Sequence, residues 1–447
     1  MKIKYIFSLL FVFLSGMTLF AQIEIFNIKD FGAIGNGQND EYNAIQSCFR
    51  EAVKHPKSKV IIPFGDYHVS KQIIVSSFEG DIEIEGEINK KGDLPTIFNT
   101  TNSSVLWIKG YLFENAKGVV KINNIRLKSN NVIFSTIHPM INKKQWNSGL
   151  SITDKREAYI HNIIVENIYG QGIYISDSQQ TKISLSARFK YIEINNCQIL
   201  NVWGYNPKLD DYGDGIYLSN IASGLVKNNT VKNDFNKTKQ LGRVGVVVEF
   251  MSQNCNIINN YIYGYDRGIH LEADYGNHNI SYNTIEGTDL GIVVYNSNIP
   301  GHNNPIKISY NTISNQYLPK KNQLKRVRGI SGISDRALLD FTALNNSRKG
   351  SIVNNNYFVI DGNYDYFSNS IINIRVEGIS LLNNTYIVKN KHKLTNPVNY
   401  FNFSQKTLIK GENLNGINGI VLKQFSKKEQ EEFRRNNKID NTVVFVK

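Results

Sequence analysis

One short pattern of apolar and polar positions recurs along most of the chain. It consists of an aliphatic residue, one or two asparagines and then a β-forming residue, as in VKINNIRL, IIVENIYG, IEINNCQI, LVKNNTVK, NIINNYIY, NISYNTIE, IKISYNTI, SIVNNNYF and SLLNNTYI. The closing asparagines are Asn124, Asn167, Asn196, Asn229, Asn260, Asn283, Asn311, Asn356 and Asn384. Their intervals run from 23 to 45 residues. The shortest interval fits one coil of a parallel β-helix, and the longer ones fit coils with inserted loops.

A repeat of this kind predicts an all-β solenoid formed by a single chain, a parallel β-helix. Each coil is a few short strands that cannot bury their apolar face alone, so stacked coils build one continuous core. Asparagine suits the bends because it tolerates left-handed backbone and bonds to nearby amides. Asparagines at equivalent bends are also expected to hydrogen-bond along the axis. A propeller would have longer, more even repeats, and a leucine-rich horseshoe would show its LxxLxL phrase.

Both ends of such a stack need covers, because open sheet edges recruit other chains. Apolar residues at helical spacing predict an N-terminal capping helix over about residues 40–54, with Asp40 as its N-cap. Near the C-terminus, Ser426 and Glu429 form a capping-box pattern before a short helix. We therefore expect the β-helix over residues 22–404 and a C-terminal capping segment over 405–447.

The first 21 residues are expected to be a signal peptide rather than part of the fold. Lys2 and Lys4 precede the apolar run IFSLLFVFLSGMTLF, and Ala21 is a suitable residue for cleavage. A transmembrane anchor is the alternative, but the run is short for a bilayer span. The mature protein is then secreted, periplasmic or held at the cell surface, with no transmembrane segment.

The net charge of +13 becomes +11 when Lys2 and Lys4 are removed. A basic protein outside the cytoplasm is more often matched to an acidic polysaccharide than to nucleic acid, so we expect an acidic polysaccharide and no nucleic acid as partner. The three cysteines, Cys48, Cys197 and Cys255, are too few for a disulfide framework. No metal-binding motif accompanies them, and we expect all three to be buried.

The segment FNIKDFGAIGNGQNDEYNAIQSCFREA, followed by KVIIPFGDYHVSKQIIV, resembles the opening of the pectate-lyase-like superfamily. This superfamily contains polygalacturonase-type glycosidases, polysaccharide lyases and phage tailspikes. The resemblance covers about residues 26–76 specifically and implies a right-handed β-helix that acts on or binds polysaccharide. The NTD, GHG and RIK motifs of the polygalacturonases have no usable counterpart. Asp210-Asp211 and Gly213-Asp214-Gly215 match their acidic motifs only loosely, so pectin hydrolysis is not implied.

Four segments align on a glycine: GDGIYLSN, RVGVVVEF, DRGIHLEA and DLGIVVYN, at Gly215, Gly245, Gly268 and Gly291. The last two intervals are both 23 residues, so these coils are expected to be direct neighbours. Because side chains alternate along a strand, one parity points inwards: Ile216, Leu218, Val246, Val248, Ile269, Leu271, Ile292 and Val294. The other parity points outwards: Tyr217, Ser219, Val247, Glu249, His270, Glu272, Val293 and Tyr295.

This register places Glu249 beside Glu272 on the outer face, about 4.8 Å apart at the backbone. Stability gives no reason to stack two carboxylates, whereas a shared proton would let one act as acid and the other as base. The catalytic candidates are Glu249, Glu272, His270, Asp274 and Asp214. The residues expected to bind substrate are Arg243, Arg267, Tyr217, Tyr295, Asp211, Trp146, Arg326 and Arg328, the last two in the basic insertion LPKKNQLKRVRG.

We expect a secreted enzyme that degrades a uronate- or sulfate-bearing polysaccharide by glycoside hydrolysis, with β-elimination as the alternative mechanism. In glycoside hydrolysis, the carboxyl pair supplies acid and base or nucleophile, with no cofactor. In β-elimination, His270 or Tyr217 is the base, an arginine stabilises the enolate, and the acidic pair could hold calcium. A carbohydrate-binding or adhesive β-helix without catalysis, or a purely structural cell-surface solenoid, is the alternative to an enzyme.

Overall fold

The computed structural model describes sixteen stretches of the chain. They are residues 22–76, 78–101, 103–111, 117–130, 147–177, 185–204, 213–235, 241–295, 304–319, 337–341, 348–364, 370–374, 376–393, 399–403, 408–414 and 426–439. The predicted signal peptide lies outside them. Within these residues the chain forms a right-handed parallel β-helix, whose coils each add a strand to three parallel sheets.

The described strands form sheets of 13, 14 and 11 strands, which we call sheets 1, 2 and 3. Sheet 1 contains Glu24–Asn27, Lys57–Ile62, Asp81–Gly86, Val119–Asn123, Glu157–His161, Tyr191–Asn195, Gly224–Lys227, Cys255–Ile258, Asn279–Ser281, Lys307–Ser309, Ile352–Asn354, Ser380–Leu382 and Leu408–Lys410. Sheet 2 contains Asn36–Asp40, Asp66–Val69, Thr96–Asn99, Arg126–Ser129, Ile164–Tyr169, Gln198–Trp203, Thr230–Lys232, Tyr261–Tyr263, Thr284–Glu286, Thr312–Ser314, Tyr357–Asp361, Thr385–Lys389, Asn413–Leu414 and Lys438–Ile439. Sheet 3 contains Ile73–Ser76, Leu106–Lys109, Ser148–Thr153, Gln171–Ser176, Ile216–Ser219, Gly242–Glu249, Tyr265–Glu272, Leu290–Val294, Ala337–Phe341, Ser370–Ile374 and Asn399–Phe403.

The core is one continuous apolar column inside the three sheets. It includes all eight residues that the alternation assigned to the inner face of sheet 3. The register also follows the sequence prediction, because Val246 pairs with Ile269 and Ile269 pairs with Ile292 in successive coils. The three cysteines are free and buried, as expected.

The aligned glycines allow sheet 3 to pass close to sheet 2. A Cβ atom on Gly268 would lie 2.4 Å from Cγ2 of Ile285 and 2.6 Å from the carbonyl oxygen of Gly291. Gly245 and Gly291 have equally close neighbours in sheet 2. A side chain at any of these positions would separate the sheets, so the glycine column is a packing requirement of the core.

A buried ladder of six asparagines runs along the axis where sheet 1 turns into sheet 2. Its members are Asn229, Asn260, Asn283, Asn311, Asn356 and Asn384. Each rung donates its backbone and side-chain N–H groups to the Oδ1 atom of the next rung at about 2.9–3.0 Å, as between Asn260 and Asn283. The last rung donates to Glu412, whose carboxyl group also accepts from the hydroxyl of Tyr386. The expected bonding along the axis is therefore confirmed.

The nine asparagines of the repeated phrase are not all equivalent. Asn124 and Asn196 have left-handed backbone one residue before the ladder position, and Asn167 lies within a strand of sheet 2. At the ladder position, Cys197 donates its backbone N–H to the first rung. The phrase thus covers the buried ladder, an outer column at the corner between sheets 1 and 2 and, at Asn167, a strand position of sheet 2.

That outer column, which we call the corner column, has left-handed backbone in every coil from residue 124 to residue 411. Seven of its members are asparagine, one is glycine and two are tyrosine: Asn124, Asn162, Asn196, Asn228, Asn259, Tyr282, Tyr310, Asn355, Asn383 and Gly411. A left-handed conformation costs a bulky residue roughly 1–2 kcal/mol. The rings of Tyr282 and Tyr310 stack at 5.0 Å with an interplanar angle of 4°, which contributes roughly 0.5–1.5 kcal/mol. The stack therefore offsets only part of the backbone cost of the two tyrosines.

Short helices stand near both ends. The helix Tyr42–Ala52 packs against the first strands of sheets 1 and 3. Its N-cap is Glu41 and not Asp40, although Asp40 accepts a hydrogen bond from the backbone N–H of Tyr42 at 3.1 Å. The expected capping box of Ser426 precedes the helix Lys427–Asn436 and is confirmed. Sheets 1 and 2 continue past residue 405, and the predicted division at 404 falls outside the described residues. None of the helices in the described part of the chain has the length and apolar character needed to cross a membrane.

Candidate active site

The strands Gly242–Glu249 and Tyr265–Glu272 bring the predicted carboxylates together. Glu249 pairs directly with Glu272, and His270 pairs with Val247, on the outer face of sheet 3. The neighbouring strand Ile216–Ser219 adds Tyr217 one coil towards the N-terminus. Although these side chains point outwards, Glu249 is only 8% exposed and His270 only 2%. The side chain of Glu272 is 39% exposed and is the open member of the group.

Glu249 lies in a covered position that favours its neutral form. The Tyr217 hydroxyl donates to Oε2 of Glu249 at 2.7 Å. Burial raises the pKa of Glu249, the Arg243 charge opposes this, and the Glu272 charge adds to it, so that the pKa is about 7. The same burial and the adjacent carboxylate hold the pKa of Tyr217 well above its ordinary value. Glu249 can therefore carry a proton near neutral pH, while Tyr217 is a hydrogen-bond donor and is not suited to act as a base.

The surroundings of Glu272, in contrast, favour its ionised form. Its Oε2 atom lies 2.9 Å from Nε2 of His270. Burial raises the pKa of Glu272, but the hydrogen bond from His270 and the charges of Arg267 and Arg243 bring the pKa below its usual value. Burial lowers the pKa of His270 more than its contact with Glu272 raises it. An ionised Glu272 accepts only, so a neutral His270 donates from Nε2, which leaves Nδ1 as an acceptor with no described hydrogen-bond partner.

An ion pair frames the carboxylates on the N-terminal side. Arg243 donates from Nε and Nη2 to both oxygens of Asp214, each at 2.7 Å, and Asp214 is fully buried. A carboxylate held in this bidentate way is a poor catalytic acid or base. Asp214 and Arg243 therefore act on the pKa of Glu249, and this ion pair does not by itself support the catalytic role predicted for Asp214 or the substrate contact predicted for Arg243.

Asp274 is held outside this group. Its carboxylate accepts from Arg348 Nη2 at 2.6 Å, from the backbone N–H of Gly276 at 2.8 Å, and lies 2.7 Å from Nε2 of His278. Burial raises the pKa of Asp274, but Arg348 and His278 outweigh it, so the pKa is about 2. All three ionisable side chains are fully buried. The geometry supports a structural ion-pair network and does not support the predicted catalytic role.

The remaining predicted residues divide into two groups. Tyr295 stands at the edge of the site, with its ring 6.3 Å from that of His270. Asp211, Trp146, Arg326 and Arg328 lie outside the described residues. The sequence alignment missed Tyr174, whose ring stacks on Tyr217 at 5.1 Å and 11°. The signal was present, because Gly172–Ser176 reads GIYIS and Gly215–Ser219 reads GIYLS.

The same group offers donor atoms to a cation. One ligand atom from each of Glu249, His270 and Glu272 lies within 4.8 Å of the others. A set of two carboxylates and an imidazole suits manganese or zinc better than calcium, which prefers oxygen ligands alone. All three residues already have a hydrogen-bond partner: Glu249 is bonded to Tyr217, and His270 is bonded to Glu272.

Comparison with known proteins supports the architecture. Residues 148–333 match a family model described as "Right handed beta helix region". No curated protein matches the sequence. A tailspike mutant of E. coli bacteriophage HK620, solved in complex with a hexasaccharide, has a TM-score of 0.50 and 14% identity over 89% of this chain and 68% of its own.

Two enzymes are also similar in structure. The A-module of a mannuronan C-5 epimerase from Azotobacter vinelandii has a TM-score of 0.48 and 14% identity over 87% of this chain and 98% of its own. The catalytic unit of a GH87 α-1,3-glucanase from Streptomyces thermodiastaticus has a TM-score of 0.44 and 14% identity over 94% of this chain and 68% of its own. The match of residues 148–333 and the similarity to the tailspike protein confirm the right-handed parallel β-helix fold.

Proposed function

We propose that the protein is a carbohydrate-active enzyme that works outside the cytoplasm and hydrolyses glycosidic bonds of an acidic polysaccharide. One observation carries the proposal: two adjacent carboxyl groups, Glu249 and Glu272, have pKa values shifted in opposite directions. Environments that separate two pKa values in this way divide the roles of acid and base between the groups.

Glu249 is the general acid. Its Oε2 atom accepts from Tyr217, so its proton resides on Oε1 and passes to the glycosidic oxygen as the C–O bond breaks. Glu272 is the nucleophile, since it is ionised and is the exposed member of the pair. His270 fixes its orientation through Nε2.

The separation of the carboxyl groups favours retention of stereochemistry. The donor oxygens lie within 4.8 Å, close to the roughly 5–5.5 Å of retaining enzymes and well below the roughly 6.5–9.5 Å of inverting ones. Glu272 then attacks the anomeric carbon and forms a glycosyl ester. In the second step, Glu249, now ionised, takes a proton from water, and the water oxygen displaces Glu272 from the sugar.

An anionic substrate fits the charge of the chain. The net charge is +13, and Arg267 lies on the same strand as His270 and Glu272. The charges of Arg267 and Arg243 both lower the pKa of Glu272, and this positive field suits a substrate that carries uronate or sulfate groups. Tyr174 extends the aromatic surface of Tyr217 one coil further and can stack on a sugar ring.

A second function is supported by the cluster of donor atoms. If Glu249, His270 and Glu272 hold a divalent cation, the cation would stabilise the enolate of a uronate during β-elimination. Removal of divalent cations by a chelator would then abolish activity, whereas hydrolysis by the carboxyl pair would persist.

Incubation with a panel of acidic polysaccharides tests the proposal. We expect new reducing ends without ultraviolet absorbance, and NMR of the first product should show the anomeric configuration of the substrate. Glu249→Gln and Glu272→Gln should each lower kcat by at least 1,000-fold, on the order of the general acid–base and nucleophilic contributions.

Glu286→Gln is the matched control, because Glu286 on sheet 2 also lies beside a tyrosine, Tyr261, and has a raised pKa. It should leave the rate unchanged. Absorbance from unsaturated ends would replace hydrolysis by elimination. Binding without either product would leave a non-catalytic carbohydrate-binding protein.

A further inference from the structure

In two coils of the corner column, tyrosine stands in place of asparagine, and stability does not explain this replacement. Asparagine is the usual residue there, and its side chains bond from coil to coil, as Asn259 does to Asn228 at 2.8 Å. Two consecutive coils carry Tyr282 and Tyr310, with φ values of 59° and 58°. Tyrosine gives up the asparagine bonds and adopts a backbone conformation that bulky residues rarely enter. Persistent strain of this kind often marks a functional site.

The two tyrosines are exposed and are not part of the core. Tyr282 is 57% exposed and Tyr310 is 47% exposed. The next coil adds Tyr357 and Ile352, which are 53% and 39% exposed. Lys307, also exposed, lies three residues before Tyr310. Nine other large apolar side chains are exposed in the described part of the chain, so exposure alone does not set these four apart. The stacked rings and left-handed backbone of Tyr282 and Tyr310 do.

The geometry of the pair suits an extended ligand that runs along the solenoid. The rings are parallel within 4°, and their centroids are 5.0 Å apart. Parallel rings at this distance are offset, so part of each face stays open. The weakly positive C–H groups of a sugar ring are attracted to such negative faces. Asparagine neighbours and Lys307 can bond hydroxyl or acidic groups beside the rings.

We infer that Tyr282 and Tyr310 form a second polysaccharide-binding site, remote from the carboxyl pair. The corner column joins sheets 1 and 2, whereas Glu249 and Glu272 stand on sheet 3. The inference rests on the proposed function for the class of ligand, an acidic polysaccharide. A protein partner would be expected to require a broader aliphatic surface, and Ile352 is the one exposed large aliphatic side chain among the described residues from 279 to 379.

The asparagines of the other coils indicate which substitution tests the inference. Tyr282→Asn/Tyr310→Asn restores the residue of the other coils, so it should fold and should not lower the thermal midpoint. Affinity electrophoresis in polygalacturonate and in carrageenan measures binding to a polyuronate and to a sulfated polymer. We expect wild type to bind at least one polymer and the double variant to bind it at least 10-fold more weakly. Tyr282→Phe/Tyr310→Phe should retain binding, and so should Tyr111→Asn, which removes a tyrosine that is 43% exposed at the end of a strand of sheet 3.

Failure of this inference can be told apart from failure of the proposed function. Glu249→Gln should abolish turnover and leave polymer binding intact, and the double asparagine variant should leave turnover of a short oligosaccharide intact. Equal binding by the double variant and wild type, or no binding of wild type to either polymer, would overturn the inference. It would also be overturned if the tyrosines drive association of two copies, seen as a dimer that the double variant converts to monomer in gel filtration.

Discussion

Replacing Glu249 by glutamine should make the protein more stable at alkaline pH while removing its activity. Glutamine keeps the shape of the side chain and an oxygen that accepts from Tyr217. It removes a carboxyl group whose ionised form is disfavoured by burial and by the adjacent Glu272. A catalytic acid with a raised pKa is expected to carry this cost, because its environment opposes the charge that it gains at high pH.

The size of the effect follows from the pKa of about 7 in the folded protein against an ordinary value of 4.5. The folded state binds the proton more tightly, so the contribution of Glu249 to stability is fully present below pH 4.5. It is lost as the pH rises through 7. The gap between the two values corresponds to about 3 kcal/mol. The stability of the glutamine variant relative to wild type should therefore increase by about this amount between pH 4 and pH 8.

Urea unfolding at a series of pH values measures the difference, provided that the two proteins have equal m-values. The variant Glu432→Gln, at an exposed position of the C-terminal helix, reports the effect of removing a charge without a buried environment. If the difference between Glu249→Gln and wild type is constant from pH 4 to pH 8, Glu249 is ionised like an exposed glutamate. The assignment of Glu249 as the general acid would then be wrong.

Four further predictions can be checked separately. The rate of hydrolysis should fall above about pH 7, where Glu249 loses its proton, and again in acid below the ordinary range of a glutamate, where Glu272 gains one; a profile flat across pH 5–9 would contradict this assignment. Asp274→Asn should lower the free energy of unfolding by about 3–5 kcal/mol because it leaves Arg348 buried without its counter-charge, yet the specific activity of the folded fraction should be unchanged. Gly268→Ala should cost about 1–3 kcal/mol in urea unfolding, since its methyl group would overlap sheet 2, and a neutral result would show that the sheets can separate freely. Hydrolysis should be insensitive to a chelator such as EDTA, and loss of activity that manganese restores would favour a cation held by the carboxyl pair.

The solenoid and the pairing of the carboxylates could be predicted because each coil repeats the one before it, displaced by one strand spacing along the solenoid axis. Once two coils are known to be 23 residues apart, each residue has a defined neighbour, and Glu249 must stand beside Glu272. The alternation of the strand then separates the inner from the outer face. No further information about packing is needed for either step.

The limits of prediction appear where the neighbour is not set by the repeat. Asp274 follows the end of a strand, and its partner Arg348 is 74 residues away in the chain. The alternation places Glu249 and Glu272 equally on the outer face, so it does not indicate that one is covered and the other open. The asparagine phrase is ambiguous by one residue, because in a pair such as Asn228-Asn229 the first is at the corner and the second is in the ladder.

The buried ladder allows the number of coils to change while the pattern of hydrogen bonds between rungs stays the same. Each rung offers the same donors and the same acceptor, so a rung does not distinguish one neighbour from another. Asn260 and Asn283 are separated by a single coil of 23 residues, and removal of that length would leave Asn229 facing Asn283 with the same bonds. The ladder changes at Glu412, because a carboxyl group has no side-chain N–H to donate, and only the backbone N–H of Glu412 continues to Oδ1 of Asn437, at 2.9 Å. Proteins that share this ladder can therefore have an outer surface that is longer or shorter by whole coils, with the same C-terminal end of the ladder.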